Sequence, residues 1–217
     1  MTVTVTALAA QPPTDDELVA RIVAGDAALF EILMRRHNQR IYRAVRAVLR
    51  TDDDVEDVMQ QAYLNAYTHL GQFDGGAQFS TWLTRIAVNE ALSRRRRNAL
   101  FVQGDDDMIL ADETTPDPEQ QASASELREV MEREVAALPD SFRTVVVLRD
   151  VEGASTNETA SILGISEDLV KTRLHRARAL LRDRLYRRAG VTLESIFTFG
   201  NVRCDRVVAA VMARITA

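Results

Sequence analysis

Eight basic side chains fall between residues 167 and 188: Lys171, Arg173, Arg176, Arg178, Arg182, Arg184, Arg187 and Arg188. Only three acids, Glu167, Asp168 and Asp183, share that stretch. A second cluster is the uninterrupted run Arg94, Arg95, Arg96 and Arg97. Cations this dense suit phosphate, and each guanidinium also offers a planar fork of donors that matches the major-groove edge of guanine. Other chemistries find no residues to carry them. His37, His69 and His175 are scattered without metal-ligand spacing, and the single Cys204 excludes an internal disulfide or a cysteine-cluster metal site. No nucleophile–base pair, metal cluster or phosphate loop is present, so an α-helical enzyme is the weakest function class and neither metal nor cofactor is implied.

The elements that must position these cations are helical nearly throughout. Thr14 with Glu17 three residues on reads as a capping box, opening a short helix to about Ala24. Asp26 is expected to cap a longer helix on which Phe30, Leu33, Met34, Ile41, Val45 and Val48 recur three or four apart. Asp53 and Glu56 read as another box, before a stripe of Val55, Val58, Met59, Ala62, Tyr63, Ala66, Tyr67 and Leu70. Residues 71–76, GQFDGG, break regular structure. A fourth helix is expected from about Phe79 to Arg97. Residues 101–121 hold seven acids, no base, Pro116 and Pro118, and read as a flexible, self-repelling linker. Periodicity resumes near Ser123 and restarts at Pro139. A third box, Ser155 with Glu158, opens a short helix ending at Gly164, a left-handed cap, and Ser166 caps a long basic helix. Short helix, glycine turn and long basic helix form a helix-turn-helix signature. The chain is therefore expected to be all-α: a helical domain at 14–98, an acidic linker at 99–122, a helix-turn-helix domain at 123–188 and an extension at 189–217.

Within the long helix, Val170, Leu174, Ala177 and Leu181 share one apolar face, which sends Lys171, Thr172, Arg173, His175, Arg176 and Arg178 outward. The first turns of such a helix fit the major groove, where Arg173 and Arg176 can reach guanine, while Arg178 and Arg182 meet phosphates. By composition alone, a solvated amphipathic helix explains the charge run equally well. The capped helix and glycine turn ahead of it favour DNA. The arginine run 94–97 can complement a helix dipole or hold phosphate, and four in succession exceed the dipole's need.

Two segments carry a family resemblance. Residues 53–64, DDVEDVMQQAYL, resemble the polymerase-binding helix of bacterial RNA polymerase sigma factors, with Gln61 where that family usually has glutamate. Residues 79–89, FSTWLTRIAVN, look like the element that reads and melts the −10 promoter element, and residues 138–184 resemble the domain that binds the −35 element. With only these two domains, the chain is similar to the extracytoplasmic-function group. The resemblance implies that Asp54, Glu56, Asp57, Val58, Gln60 and Gln61 face core polymerase, whose clamp helices bind this surface in the family. It implies that Phe73, Gln78, Phe79, Trp82, Asn89 and the arginine run 94–97 serve the −10 strand, including a flipped base, though Phe79 and Trp82 at helical spacing read more readily as core, which puts Phe73, the loop residues and Asn89 ahead of Trp82. Ser166, Lys171, Thr172, Arg173, His175, Arg176 and Arg178 fall to the −35 duplex. Core polymerase, double-stranded promoter DNA and the melted −10 strand are the implied partners, with an anti-sigma protein as the regulator the family often carries; no cofactor or catalysis is implied.

The rival reading is a stand-alone helix-turn-helix regulator whose N-terminal helices dimerise or sense a ligand. It predicts a palindromic site bound without polymerase, with half-sites about one helical turn apart. The net charge of −5 over 217 residues excludes a uniformly basic nucleic-acid glove, so any affinity must come from the segregated cations. No apolar run approaches the roughly 20 residues of a membrane span and no signal peptide is recognisable, which makes a cytoplasmic protein the expectation. In the extension, Phe197, Phe199, Val202, Val207, Val208, Val211, Met212 and Ile215 read as a loop and an amphipathic helix, packing on the DNA-binding domain or meeting a regulator.

Overall fold

The computed structural model describes residues 12–49, 52–101, 124–185 and 201–215, and every regular element among them is helical. The first four helices are α1 (Asp15–Val23), α2 (Phe30–Val48), α3 (Asp52–Thr68) and α4 (Phe79–Phe101). Then come α5 (Ala124–Ala136), α6 (Asp140–Val146), α7 (Thr156–Leu163), α8 (Glu167–Leu185) and α9 (Asn201–Ile215). The expected acidic linker lies outside the described residues, except its first few.

Local capping chemistry sets several boundaries. Thr14 accepts from the Glu17 amide while the Glu17 carboxylate takes the Thr14 amide at 2.8 Å, and Ser155 with Glu158 repeats the pattern at the start of α7. These backbone bonds hold both carboxyls below the usual glutamate range. Gly164 adopts φ 64°, a left-handed cap that turns the chain from α7 into α8, where Ser166 accepts the Leu169 amide at 3.3 Å.

Two expected caps are corrected. Asp26 precedes a 3-10 turn, Ala27–Leu29, and makes no side-chain cap, because its carboxylate pairs with Arg21 at 3.0 Å. Helix α3 begins at Asp52, so Asp53 already lies inside it, and Glu56 spends its carboxylate on arginines of α9. Helix α4 also runs four residues past Arg97. Helix α6 passes into a π-helical stretch, Val147–Val151, which no sequence signal announces.

The α2 residues Phe30, Leu33, Met34, Ile41, Val45 and Val48 are all buried, as are Val55, Val58, Met59, Ala62, Tyr63 and Ala66 of α3. This core continues into Val145, Val146, Val147 and Leu148 and on to Val170, Leu174, Ala177 and Leu181 of α8. The N-terminal and C-terminal helices thus meet directly. Arg143, 2% exposed, donates to the Ala47 carbonyl in the last turn of α2 at 2.7 Å and to Ala136 at 3.0 Å. Arg43 of α2 pairs with Glu152 at 3.0 Å, and Arg95 of α4 pairs with Asp140 at 2.9 Å. The described part of the extension, α9, packs chiefly on α2 and α3 rather than on the helix-turn-helix.

Candidate polymerase and nucleic-acid interfaces

Helix α3 presents a mixed surface. Asp54 is held by Arg94 at 2.7 Å and also accepts from Asn98, while Glu56 takes Arg206 at 2.8 Å and Arg203 at 3.8 Å. Asp57 is the open acid of the group, its side chain 68% exposed and 3.9 Å from Arg94. Val58 is only 3% exposed and belongs to the core, so it contributes packing rather than contact area. Gln60 is half-buried, and Gln61 is exposed with its amide on Asn65 at 3.2 Å. Asp57, Gln60 and Gln61 line a 510 Å³ polar cavity with Glu90, Arg94, Arg97 and Arg214.

The glycine-rich loop and the start of α4 gather three aromatic rings. Phe73 lies 5.6 Å from Phe79 edge to face and 5.5 Å from Trp82, and Phe79 lies 5.7 Å from Trp82. Phe79 is buried, Phe73 and Trp82 are half-buried, and Gln78 and Asn89 are exposed. A 330 Å³ groove lined by Val19, Val23, Leu70, Gly71, Phe73 and Gly75 opens beside the loop. Between Ser80 and Trp82, the Thr81 hydroxyl donates to Glu158 of α7 at 2.9 Å. The arginine run does not point uniformly at solvent. Arg94 pairs with Asp54, Arg95 with Asp140 and Arg97 with Glu90, leaving Arg96 exposed with Ser93 as its neighbour at 2.9 Å.

In the helix-turn-helix, Val170, Leu174, Ala177 and Leu181 form the buried seam of α8, and Lys171, Thr172, His175, Arg176 and Arg178 are exposed. Arg178 forks onto Asp150, at 2.9 and 2.5 Å, and Lys171 meets Asp168 at 3.1 Å. Arg173, half-buried, and exposed Arg176 have no acidic partner among the described residues. With Arg182 further along α8, they are cations of this helix whose donors are not engaged by carboxylate among the described residues.

Sequence reasoning missed the partners that lie far apart along the chain: Glu158 on Thr81, Asp140 on Arg95, and the arginines of α9 on Glu56. Glu158 was visible as a capping residue, but its second bond spans 77 positions, beyond any local pattern. Among the described residues no group of three His, Cys, Asp or Glu converges to hold a metal ion, and no helix is long and apolar enough to cross a membrane.

Comparison with known proteins bears directly on these surfaces. Residues 33–100, which span α2 to α4, match the Sigma-70 region 2 family, and residues 128–181, which include the helix-turn-helix, match the Sigma-70, region 4 family. The chain is 37% identical to the ECF RNA polymerase sigma factor SigM of Mycobacterium tuberculosis over 83% of its length and 89% of that protein. It is 33% identical to the ECF RNA polymerase sigma-E factor of Escherichia coli over 79% of its length and 94% of that protein. Among solved structures, CnrH in complex with the cytosolic domain of CnrY is similar, with a TM-score of 0.55 and 28% identity over 79% of this chain and 97% of that one. By sequence and fold together, the chain belongs to the ECF RNA polymerase sigma factors, the DNA-binding initiation subunits that direct core polymerase to promoters.

Proposed function

We propose that the work of this sigma factor divides by residue as follows. Residues 14–98 bind core polymerase and the −10 element, residues 123–188 bind the −35 element, and residues 99–122 tether the two. Asp54, Glu56, Asp57, Val58, Gln60 and Gln61 form the polymerase-facing patch, with Asp57 as the acid open to a basic partner and Val58 as its support. Phe73, Gln78, Phe79, Trp82 and Asn89 serve the −10 strand: the aromatic cluster provides a stacking floor, and the exposed Asn89 amide both donates and accepts at a base edge. Arg96 holds phosphate directly, and Arg94, Arg95 and Arg97 do so once their intramolecular acids release them. On the −35 side, Ser166 fixes the helix start, Arg173 and Arg176 read bases, and Lys171, Thr172, His175 and Arg178 hold the backbone.

The observation that carries this reading is the pair Arg173 and Arg176, two turns into a capped helix and without acidic partners among the described residues. A guanidinium already held by carboxylate must surrender that bond to contact DNA; these two need not. The protein performs no catalysis of its own, and it works in the cytoplasm, where polymerase and DNA are. An anti-sigma protein is a fitting regulator, since the related CnrH is seen with a cytosolic domain of CnrY.

Run-off transcription with purified core polymerase and a promoter library tests the assignment. Arg173→Ala and Arg176→Ala are each expected to cost about 1–3 kcal/mol at one −35 position and to relax base preference there. Unchanged preference and affinity in both variants would remove α8 as the reading helix.

A further inference from the structure

Helix α9 is amphipathic, and its apolar side is fully used. Val207, Val208 and Val211 are buried, and Cys204, Met212 and Ile215 pack half-buried against the same core. The surface beneath is α2 and α3, so the extension covers the helices of the region 2 match. Its polar side meets that surface residue by residue. Arg206 and Arg203 reach Glu56 at 2.8 and 3.8 Å, and Asp205 accepts from Arg35 at 2.7 Å. Arg203 also donates to the Tyr42 hydroxyl at 3.3 Å, and Asn38 donates to the Cys204 sulfur at 2.9 Å. At the far end of the helix, Arg214 lines the cavity that also holds Asp57, Val58, Gln60 and Gln61.

The chemistry of α9 is therefore that of the partner the α3 face is built to receive: a helix with arginines beside aliphatic residues. One carboxylate, Glu56, cannot serve two such helices at once. We infer that the α2–α3 face carrying Glu56 is a docking groove for an arginine-bearing amphipathic helix, filled in the free chain by α9 and vacated when core polymerase binds. This rests on the assignment of α3 to polymerase made above.

The groove's present occupant is built to leave. On the α9 side its ion-pairing groups are exposed, Arg203 at 39%, Arg206 at 61% and Asp205 at 63%, although Glu56 beneath is 15% exposed, so solvent screens each pair from one end, and a helix of 15 residues is marginal without its docking surface. Its opening is thus a local event that leaves the rest of the fold intact. While α9 is docked, polymerase sees only the fraction of molecules with the groove open, and apparent affinity falls by that fraction.

The test uses the full chain and purified core polymerase. Hydrogen exchange on the unaltered protein, free and saturated with core, reads the α9 backbone amides directly. They are expected to be protected in the free chain and to exchange about tenfold or more faster in the complex, and unchanged protection in the complex overturns the inference. Equilibrium binding supplies the second readout. Arg203→Glu with Arg206→Glu repels α9 from Glu56 and is expected to tighten core binding about tenfold by raising the open fraction; a folded double variant that binds at wild-type affinity also overturns it. The exchange measurement needs no variant, so it decides the matter even if the double variant does not fold. Asp57→Arg separates this inference from its premise, because Asp57 has no ion pair with α9 among the described residues. If Asp57→Arg weakens core binding while α9 stays protected in the complex, the polymerase face stands and α9 displacement fails. If Asp57→Arg binds core like wild type, the α3 assignment fails and takes this inference with it.

Discussion

Breaking the Arg43–Glu152 pair is the sharpest test of how the two helical regions hold together. Arg43 sits in the middle of α2, Glu152 follows the π-helical stretch of the second region, and their side chains are 14% and 8% exposed at 3.0 Å separation. An exposed pair contributes about 0.2–1 kcal/mol. At this burial, removing one partner outright costs about 3–5 kcal/mol, because a largely buried charge loses its ion-pair partner. Glu152→Gln is milder: the amide oxygen still accepts from Arg43, so the loss is the charge assistance of that hydrogen bond, the difference between a charged and a neutral bond, about 1–1.5 kcal/mol. That is roughly 5- to 13-fold in the ratio of joined to separated regions. A double-mutant cycle with Arg43→Gln and Glu152→Gln, read by urea unfolding, isolates the coupling, and small-angle scattering reports whether Glu152→Gln increases the radius of gyration. A coupling below about 0.5 kcal/mol with unchanged dimensions would refute the argument. The joint would then depend on Arg143 and the apolar contact instead.

Three further outcomes are expected. Burial pushes the His37 imidazole below its ordinary value of 6.5, against the pull of Asp15 at 2.8 Å. Its contribution to stability is therefore complete above pH 6.5 and is lost as pH falls through the lower folded value; urea midpoints from pH 7.5 to 5 should fall more steeply for wild type than for His37→Gln. Gly164→Ala should destabilise by about 1 kcal/mol through the φ of 64° alone, since an added Cβ meets nothing within 4 Å, and a larger loss would point to a contact not visible here. Asn89→Ala should slow transcription from duplex promoter and be relieved on a template pre-melted at the −10 element, because a base edge is available to the amide only once the base is flipped; a defect that pre-melting does not reduce removes Asn89 from strand opening.

What was legible in the sequence is what its neighbours decide within one helical turn. The boxes Thr14–Glu17 and Ser155–Glu158, the left-handed Gly164 and the buried seam of α8 follow from residues three or four apart, and each is found as expected. Asp26 failed as a cap for an equally local reason, since Arg21 competes for its carboxylate. What was not legible depends on partners far along the chain. Arg143 looks like an ordinary helix-surface arginine until the Ala47 carbonyl, 96 residues earlier, is placed against it. The arginine run 94–97 reads as four free cations because composition counts charges without their counter-ions, yet Arg94, Arg95 and Arg97 each meet an acid. Periodicity in α9 announced a buried face but carried no information about which surface would cover it.

The joined arrangement also has to be reconciled with the promoter. Elements named −10 and −35 lie roughly 25 base pairs apart, on the order of 85 Å along B-form DNA at 3.4 Å per step. Arg143 and Ala47 are 2.7 Å apart, and Thr81, beside the aromatics that we assign to the −10 element, is bonded to α7 of the helix-turn-helix. No rigid body with those contacts can engage both elements at once, so the two regions must part on the promoter. The chain has the length to allow it: from Phe101 at the end of α4 to Ala124 at the start of α5, a fully extended backbone reaches at most about 80 Å. The chemistry of the joint suits parting too. Arg143 and its carbonyls are buried and costly to separate, but Arg95–Asp140 is a partly exposed pair whose arginine we assign to the −10 surface, and Thr81–Glu158 joins a buried hydroxyl to a half-buried carboxylate. When Arg95 turns to phosphate, it exchanges one anion for another, and the loss of Asp140 is offset by the DNA that requires the opening. Promoter contact and separation of the regions are then one coupled equilibrium, in which each favours the other by the same free energy.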